Sequence, residues 1–117
     1  MPSQFAPQSQ AVNSLSGSAV FEVRREMGCT PEDLLRWLPE ALGSLYSETS
    51  LTLDHQRLLI GEPPRIRMEG TSLKSRKIAL LMIPVLELGI TFDASFSAGQ
   101  IESIMARFDL YTRRGGG

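Results

Sequence analysis

The segment "IALLMIPVLELGITF" at residues 78–92 constrains the fold of this chain more than any other stretch. Every even-numbered position except Pro84 carries a large apolar residue, and polar residues or glycine occupy the odd positions after Val85. Side chains of a strand point alternately to two faces, so the second half predicts a strand with one buried face. The first half is apolar at every position, which predicts that neighbouring elements cover both of its faces.

Pro84 raises the question of whether this segment is one strand or two. A two-residue turn at Ile83-Pro84 would exchange the two faces, yet the even positions stay apolar on both sides of it. Proline also fits the turns of β-hairpins poorly. We therefore predict one long strand over residues 78–92, bent at Pro84, rather than a hairpin.

Three further segments have strand patterns. Residues 19–26 alternate between apolar and polar side chains. Residues 51–61 change parity in the middle, which predicts two short strands around a turn at residues 54–56, or one strand with a bulge there. Residues 65–69 alternate again, and Gly70-Thr71-Ser72 after them predicts a turn.

Two segments have the signals of amphipathic helices. Thr30 is a suitable cap for a helix that ends near Gly43, and Pro39 within it predicts a kink or a split into two short pieces. Ser97 and Gln100 have the spacing of a capping box, and apolar residues at helical spacing follow them. The sequence therefore predicts one helix after the first strand and one at the end of the domain.

The resulting order β-α-β-β-β-β-α indicates the α+β class. A curved antiparallel sheet with the C-terminal helix packed across it satisfies the predicted apolar faces best. In element order alone, this plan resembles the helix-grip and TATA-binding-protein-like folds. A ferredoxin-like arrangement is the alternative.

The length of 117 residues predicts a single domain, which we place at residues 18–112. Residues 1–17 are rich in Ser, Gln and Pro and predict a disordered N-terminal tail. Residues 113–117 end in three glycines and predict a flexible C-terminal tail. This end is similar to the Gly-Gly termini of ubiquitin-like and sulfur-carrier proteins, but a helix rather than a strand precedes it, which favours a frayed end.

Composition narrows the cellular context. The chain is 42% hydrophobic and 21% charged, values typical of globular domains, and none of its apolar runs has the length that spans a bilayer. Its N-terminus lacks the basic and apolar regions of a secretory signal. The single cysteine excludes an internal disulfide or a Cys-based zinc cluster. We expect a bacterial cytoplasmic protein with no metal, no cofactor and no membrane partner.

Basic residues concentrate between residues 65 and 77, where five basic side chains and one acidic side chain give a net charge of +4. If residues 65–69 pair with residues 76–82 as a hairpin, these side chains form one cationic surface. The five residues are Arg65, Arg67, Lys74, Arg76 and Lys77. Such a surface steers anionic partners, although a solubilising strand face or a charged edge that prevents aggregation gives the same pattern.

We therefore expect a small non-enzymatic binding or adaptor module, monomeric or homodimeric, whose cationic hairpin contacts an anionic protein or ligand. The segment has no aromatic residues for base stacking and the whole chain has a net charge of −1, which argues against nucleic acid.

The alternative is a carrier or ligand-binding protein with an apolar pocket between the sheet and the C-terminal helix. Its lining residues would be Leu86, Leu88, Ile90, Met105 and Phe108. The same residues also suit an ordinary core.

Two single residues have chemistry of their own. Cys29 precedes a helix N-terminus, where the helix dipole lowers a thiol pKa, but it also occupies the position from which an apolar residue packs onto the first helical turn. We predict a packing role for it. His55 is the only histidine and lies in a predicted turn, with no motif of nucleophilic catalysis around it. The sequence therefore predicts no catalytic residues.

Overall fold

The computed structural model describes residues 20–61 and 64–113. The predicted N-terminal tail, residues 1–17, lies outside this part of the chain. Of the predicted C-terminal tail at residues 113–117, Arg113 belongs to the last helix and residues 114–117 lie outside the described part. A 3₁₀ segment, Gly43–Glu48, follows the first helix. The other elements, in chain order, are β1 (Phe21–Met27), α1 (Pro31–Leu42), β2 (Thr49–Leu53), β3 (Gln56–Leu59), β4 (Ile66–Ile78), β5 (Leu81–Phe92) and α2 (Ala98–Arg113).

The five strands form one open sheet with the order β1-β5-β4-β2-β3. The α+β class and the element order β-α-β-β-β-β-α are confirmed, and the ferredoxin-like alternative, with its order β-α-β-β-α-β, is not found. The sheet is mixed rather than wholly antiparallel, because β2 and β4 run parallel while the other neighbours are antiparallel. The parallel pair arises because β3 takes the outer edge beside β2, and β4 then enters on the other side of β2.

The core lies between one face of the sheet and the two helices. The four even-numbered apolar residues of β5 from 86 to 92 are all fully buried, as their parity predicts. Helix α1 contributes Leu34 and Leu38, and α2 contributes Met105 and Phe108, to the same cluster. Burial of a side chain of this size stabilises a fold by about 1.5–3 kcal/mol. The C-terminal helix is therefore held on the sheet by its apolar face, as predicted.

Both helix starts follow the sequence signals. The Thr30 side chain accepts a hydrogen bond from the Asp33 backbone N–H, and the Asp33 carboxylate accepts one from the Thr30 N–H. Ser97 and Gln100 form the equivalent pair at α2. Pro39 does not split α1, which continues to Leu42. The buried residues on both sides of Pro39 offset the backbone hydrogen bond that proline removes.

The two short strands predicted within residues 51–61 are confirmed as the antiparallel pair β2 and β3. Asp54 and His55 form the turn between them, with φ values of 42° and 79°. Two consecutive positive φ values are typical of the tight turns that match the twist of a hairpin. His55 is therefore an exposed turn residue.

The turn predicted at Gly70-Thr71-Ser72 is wrong, because β4 continues through these residues to Ile78. Gly70 has a different reason to be glycine. A Cβ atom at this position would lie 2.4 Å from Cδ2 of Leu53, which is buried against it. The missing side chain thus reflects a close approach of two strands rather than a change of direction.

Consequently, the chain reverses at Ala79-Leu80, not before Ile78. Ala79 has φ of 56°, and Ile78 pairs with Leu81 across the turn. The predicted strand over 78–92 therefore begins three residues later, at Leu81, but it does run through Pro84 without a hairpin, as predicted. The β4–β5 register shifts between Leu73 and Arg76, so Pro84 has no pairing partner and its missing N–H breaks no ladder bond.

Candidate functional site

The structure does not bring the five predicted basic residues together. The predicted pairing of residues 65–69 with 76–82 is wrong, because β4 residues 66–73 pair with β5 residues 85–92. All five basic residues therefore follow one another along β4 and its start. At about 3.3 Å per residue, Arg67 and Arg76 lie roughly 30 Å apart along the strand. Two separate regions result, one at each end of β4.

At the first end, Arg65 binds other parts of the same chain. Its guanidinium donates to Glu48 Oε1 at 2.5 Å and to Ser95 Oγ at 3.0 and 3.1 Å, and it lies 4.4 Å above the ring of Phe96. Its backbone N–H donates to the Glu48 carbonyl. Arg65 therefore fastens the start of β2, the start of β4 and the loop before α2 to one another.

Arg67 lies two residues further along, on the sheet face that the helices leave open. Its register partners are Ser50 of β2 and Thr91 of β5, and Glu69 follows on the same face. Its side chain is exposed. Charges of both signs are thus mixed around Arg67.

At the other end of β4, β4 and β5 extend past the rest of the sheet as a two-stranded arm, which we define as residues 73–85. Among residues 20–61 and 64–113, no third strand pairs with the arm, because the β2 pairing ends at Gly70 and the β1 pairing ends at Leu86. It protrudes by roughly 20 Å, given about 3.3 Å per residue. The remaining three predicted residues, Lys74, Arg76 and Lys77, lie here together.

The charge of the arm is of one sign. It carries three basic residues and no acidic residue. Lys74 and Lys77 are exposed, whereas Arg76 donates to Glu26 Oε1 of β1 at 2.6 Å, with more than half of each side chain still exposed. Exposed ion pairs of this kind contribute at most about 1 kcal/mol. Arg76 is therefore open to exchange Glu26 for an external anion.

The arm also exposes large apolar side chains, whereas the sequence predicts that neighbouring elements cover both faces of this segment. Leu80 is 96% exposed, and Leu81 and Met82 are each 64% exposed. Ile78 is 49% and Leu73 is 42% exposed. An apolar run with both faces covered and one with neither face covered have the same composition, so the exposed tip had no separate signal in the sequence.

The predicted pocket residues belong to the packed core. Leu86, Leu88, Ile90 and Phe108 are fully buried, and Met105 is 6% exposed. A separate open groove of about 620 Å³ lies elsewhere, between the first turn of α2 and the 3₁₀ segment. Arg65 and Phe96 form part of its wall, where the Arg65 guanidinium packs on the Phe96 ring.

Cys29 and Asp54 have structural partners. Cys29 is 1% exposed in the core cluster, and burial, together with the negative charge of Asp33, raises the pKa of its thiol to about 11. This thiol is protonated at neutral pH, in agreement with the predicted packing role. The Asp54 carboxylate accepts hydrogen bonds from the N–H and the hydroxyl of Ser72, which hold the pKa of Asp54 below its usual range.

Comparison with known proteins leaves the site to be interpreted from its own geometry. The chain matches no protein-family model, no curated protein and no solved structure. Within residues 20–61 and 64–113, no group of three or more His, Cys, Asp or Glu side chains is placed to hold a metal ion. None of the helices described is long and apolar enough to cross a membrane.

Proposed function

We propose that this protein is a non-enzymatic binding module that contacts an anionic partner through the arm. The observation that carries the proposal is the charge of the arm, +3 within a chain of net charge −1. Charges on a protruding element are reached by a partner before the rest of the surface, so they steer its approach. The buried thiol of Cys29 fits the reducing bacterial cytoplasm, where we place the protein.

The proposal moves the binding site relative to the sequence-based hypothesis. Lys74, Arg76 and Lys77 remain binding residues, whereas Arg65 is better explained by its internal contacts with Glu48 and Ser95. Arg67 lies on the body of the sheet and contributes only through its long-range field.

A soluble polyanion tests the proposal directly. We expect heparin to bind the full chain, with an affinity that falls steeply as salt rises. Lys77→Glu should weaken this binding clearly more than the matched control Arg57→Glu, which makes the same charge change on an exposed residue of β3 outside the arm. Equal effects of the two substitutions would contradict the proposal.

Native mass spectrometry of protein from its own host separates this function from the carrier alternative. A binding module should be recovered without a small molecule. A retained apolar ligand whose loss follows Phe108→Ala, but not Leu80→Ala, would instead support a pocket at the predicted lining residues.

A further inference from the structure

The tip of the arm, which we define as residues 78–82, has apolar side chains on both faces of the hairpin and at the turn. Ile78 and Leu81 are directly opposite each other across the hairpin and therefore share one face. Met82 follows Leu81 and points to the other face, and Leu80 lies at the turn itself. A groove on a protein, or a second copy of this sheet, covers one face of a hairpin. A medium that surrounds the tip covers all of these side chains at once.

The basic residues form a collar that begins beside Met82 and continues away from the end of the hairpin. Lys77 is opposite Met82, and Arg76 is opposite Ile83, so the two charges lie on opposite faces. Lys74 lies in the irregular step just below them. With about 3.3 Å between successive residues, the collar begins within roughly 10 Å of the end of the hairpin.

These dimensions match the surface of a bilayer. An interfacial element buries its apolar residues about 5–10 Å into the boundary between headgroups and acyl chains. Basic residues at the level of the headgroups are attracted to anionic lipids, and long side chains reach the phosphates while their stems stay apolar. The tip and the collar of the arm have this depth and this order.

We infer that the arm anchors the protein to anionic lipid surfaces, with residues 78–82 in the interface and Lys74, Arg76 and Lys77 at the phosphates. This inference rests on the proposed function, names its partner and replaces the sequence-based expectation of no membrane partner. Because the arm is joined to the body only at its base, insertion leaves the core between sheet and helices unchanged. Glu26 competes for the collar through its ion pair with Arg76, and the lipid phosphates replace it there.

Vesicle co-sedimentation of the full chain tests the inference. We expect binding to phosphatidylcholine vesicles that contain phosphatidylglycerol, and little binding to phosphatidylcholine alone. The double variant Leu80→Asp/Leu81→Asp should reduce binding at least about tenfold, since each leucine contributes its transfer free energy. Leu110→Asp, at a leucine of α2 that is 61% exposed, should leave binding unchanged. Lys77→Glu should reduce binding about fivefold or more.

Depth of insertion gives a second measurement that does not depend on total affinity. A tryptophan placed by Leu80→Trp should be quenched by brominated acyl chains in anionic vesicles. A tryptophan placed by Leu110→Trp should not be quenched beyond the background of the native Trp37. Equal quenching of the two variants would overturn the proposed orientation.

The outcomes also separate this inference from the proposed function. Salt-sensitive binding to heparin without binding to anionic vesicles would overturn the lipid partner and leave the anionic binding module standing. If Lys77→Glu changes neither heparin binding nor vesicle binding, both the proposed function and the lipid partner are overturned. A dimer that is broken by Leu80→Asp/Leu81→Asp in light scattering would assign the tip to a second copy of the chain and overturn the lipid partner.

Discussion

The β4–β5 hairpin contains two halves that both hold large apolar side chains but have opposite environments. In the inner half, residues 66–72 and 86–92, the strands have neighbours on both sides and bury Ile66, Met68 and Leu88 against the helices. In the arm, the same two strands continue without a further partner strand in the part of the chain that the structure describes, and Leu80 is almost completely exposed. The difference is set by where β1 and β2 end, not by the hydrophobicity of the hairpin itself.

This contrast teaches that an apolar strand segment is stabilising only where something packs on it. The inner half contributes to the cooperative core, whereas the arm contributes exposed apolar surface that solvent does not favour. Such a surface lowers solubility, and the proposed binding function gives it a role. Substitutions on the two sides of the boundary should therefore differ in kind.

The largest expected difference concerns leucine truncation. Leu88→Ala removes a fully buried side chain and should lower the free energy of unfolding by about 2–5 kcal/mol. Leu80→Ala should change it by less than about 0.5 kcal/mol, because an exposed side chain loses no packing. Urea denaturation of both variants measures the two values. Similar losses would mean that the arm packs against something in the native protein.

Stability should be sensitive to side-chain volume at Gly70, at the boundary between the two halves. Gly70→Ala places a methyl group where Leu53 already packs, and overpacking of this kind typically destabilises by about 1–3 kcal/mol. Leu53→Ala in the same chain should partly relieve the loss, since it removes the clashing atom. Thermal denaturation of the single and double variants measures this coupling. Strict additivity would show that Gly70 has another role.

Removal of the arm should have a smaller effect on stability. Leu73 and Val85 are directly opposite each other, so residues 74–84 can be replaced by Asn-Gly in a two-residue turn. We expect the free energy of unfolding to change by no more than about 1 kcal/mol, since few core contacts are lost. The same deletion should abolish binding to anionic vesicles. A deletion variant that fails to fold would contradict the independence of the two halves.

The smallest effect concerns the hydrogen bonds at the base of the arm. Asp54 accepts two bonds from Ser72, and its pKa is lower in the folded state than the value of about 3.9 usual for an unfolded chain. The resulting stability is present above that unfolded value and is lost as pH falls through the lower, folded value. Asp54→Asn should therefore be less stable than the wild type at neutral pH.

The difference in stability between Asp54→Asn and the wild type should disappear in acid. Urea denaturation midpoints measured across pH test this. A control variant, Asp93→Asn, changes a carboxylate far from the arm and should not alter exchange of the Ser72 amide. A gap between Asp54→Asn and the wild type that is independent of pH would assign the effect to geometry rather than to charge.

Much of the fold was predictable because its signals are local. Thr30 with Asp33 and Ser97 with Gln100 identify the helix starts, since a cap involves residues only three positions apart. The even positions of β5 after Pro84 identify its buried face for the same reason. The reversal at Ala79-Leu80 was missed because neither residue is a usual turn former, and Gly70 gave a false signal of a turn.

The sequence by itself determined the kind and order of the elements and the buried faces of the two helices and of β5 after Pro84, because side-chain periodicity and caps act within a few residues. Only the tertiary structure decided the parallel pairing of β2 with β4, the internal ion pair of Arg65 and the exposure of the arm. These features depend on where distant strands end beside one another. The neighbours of a residue in sequence do not contain this information, because exposure depends on what packs beside a strand in space.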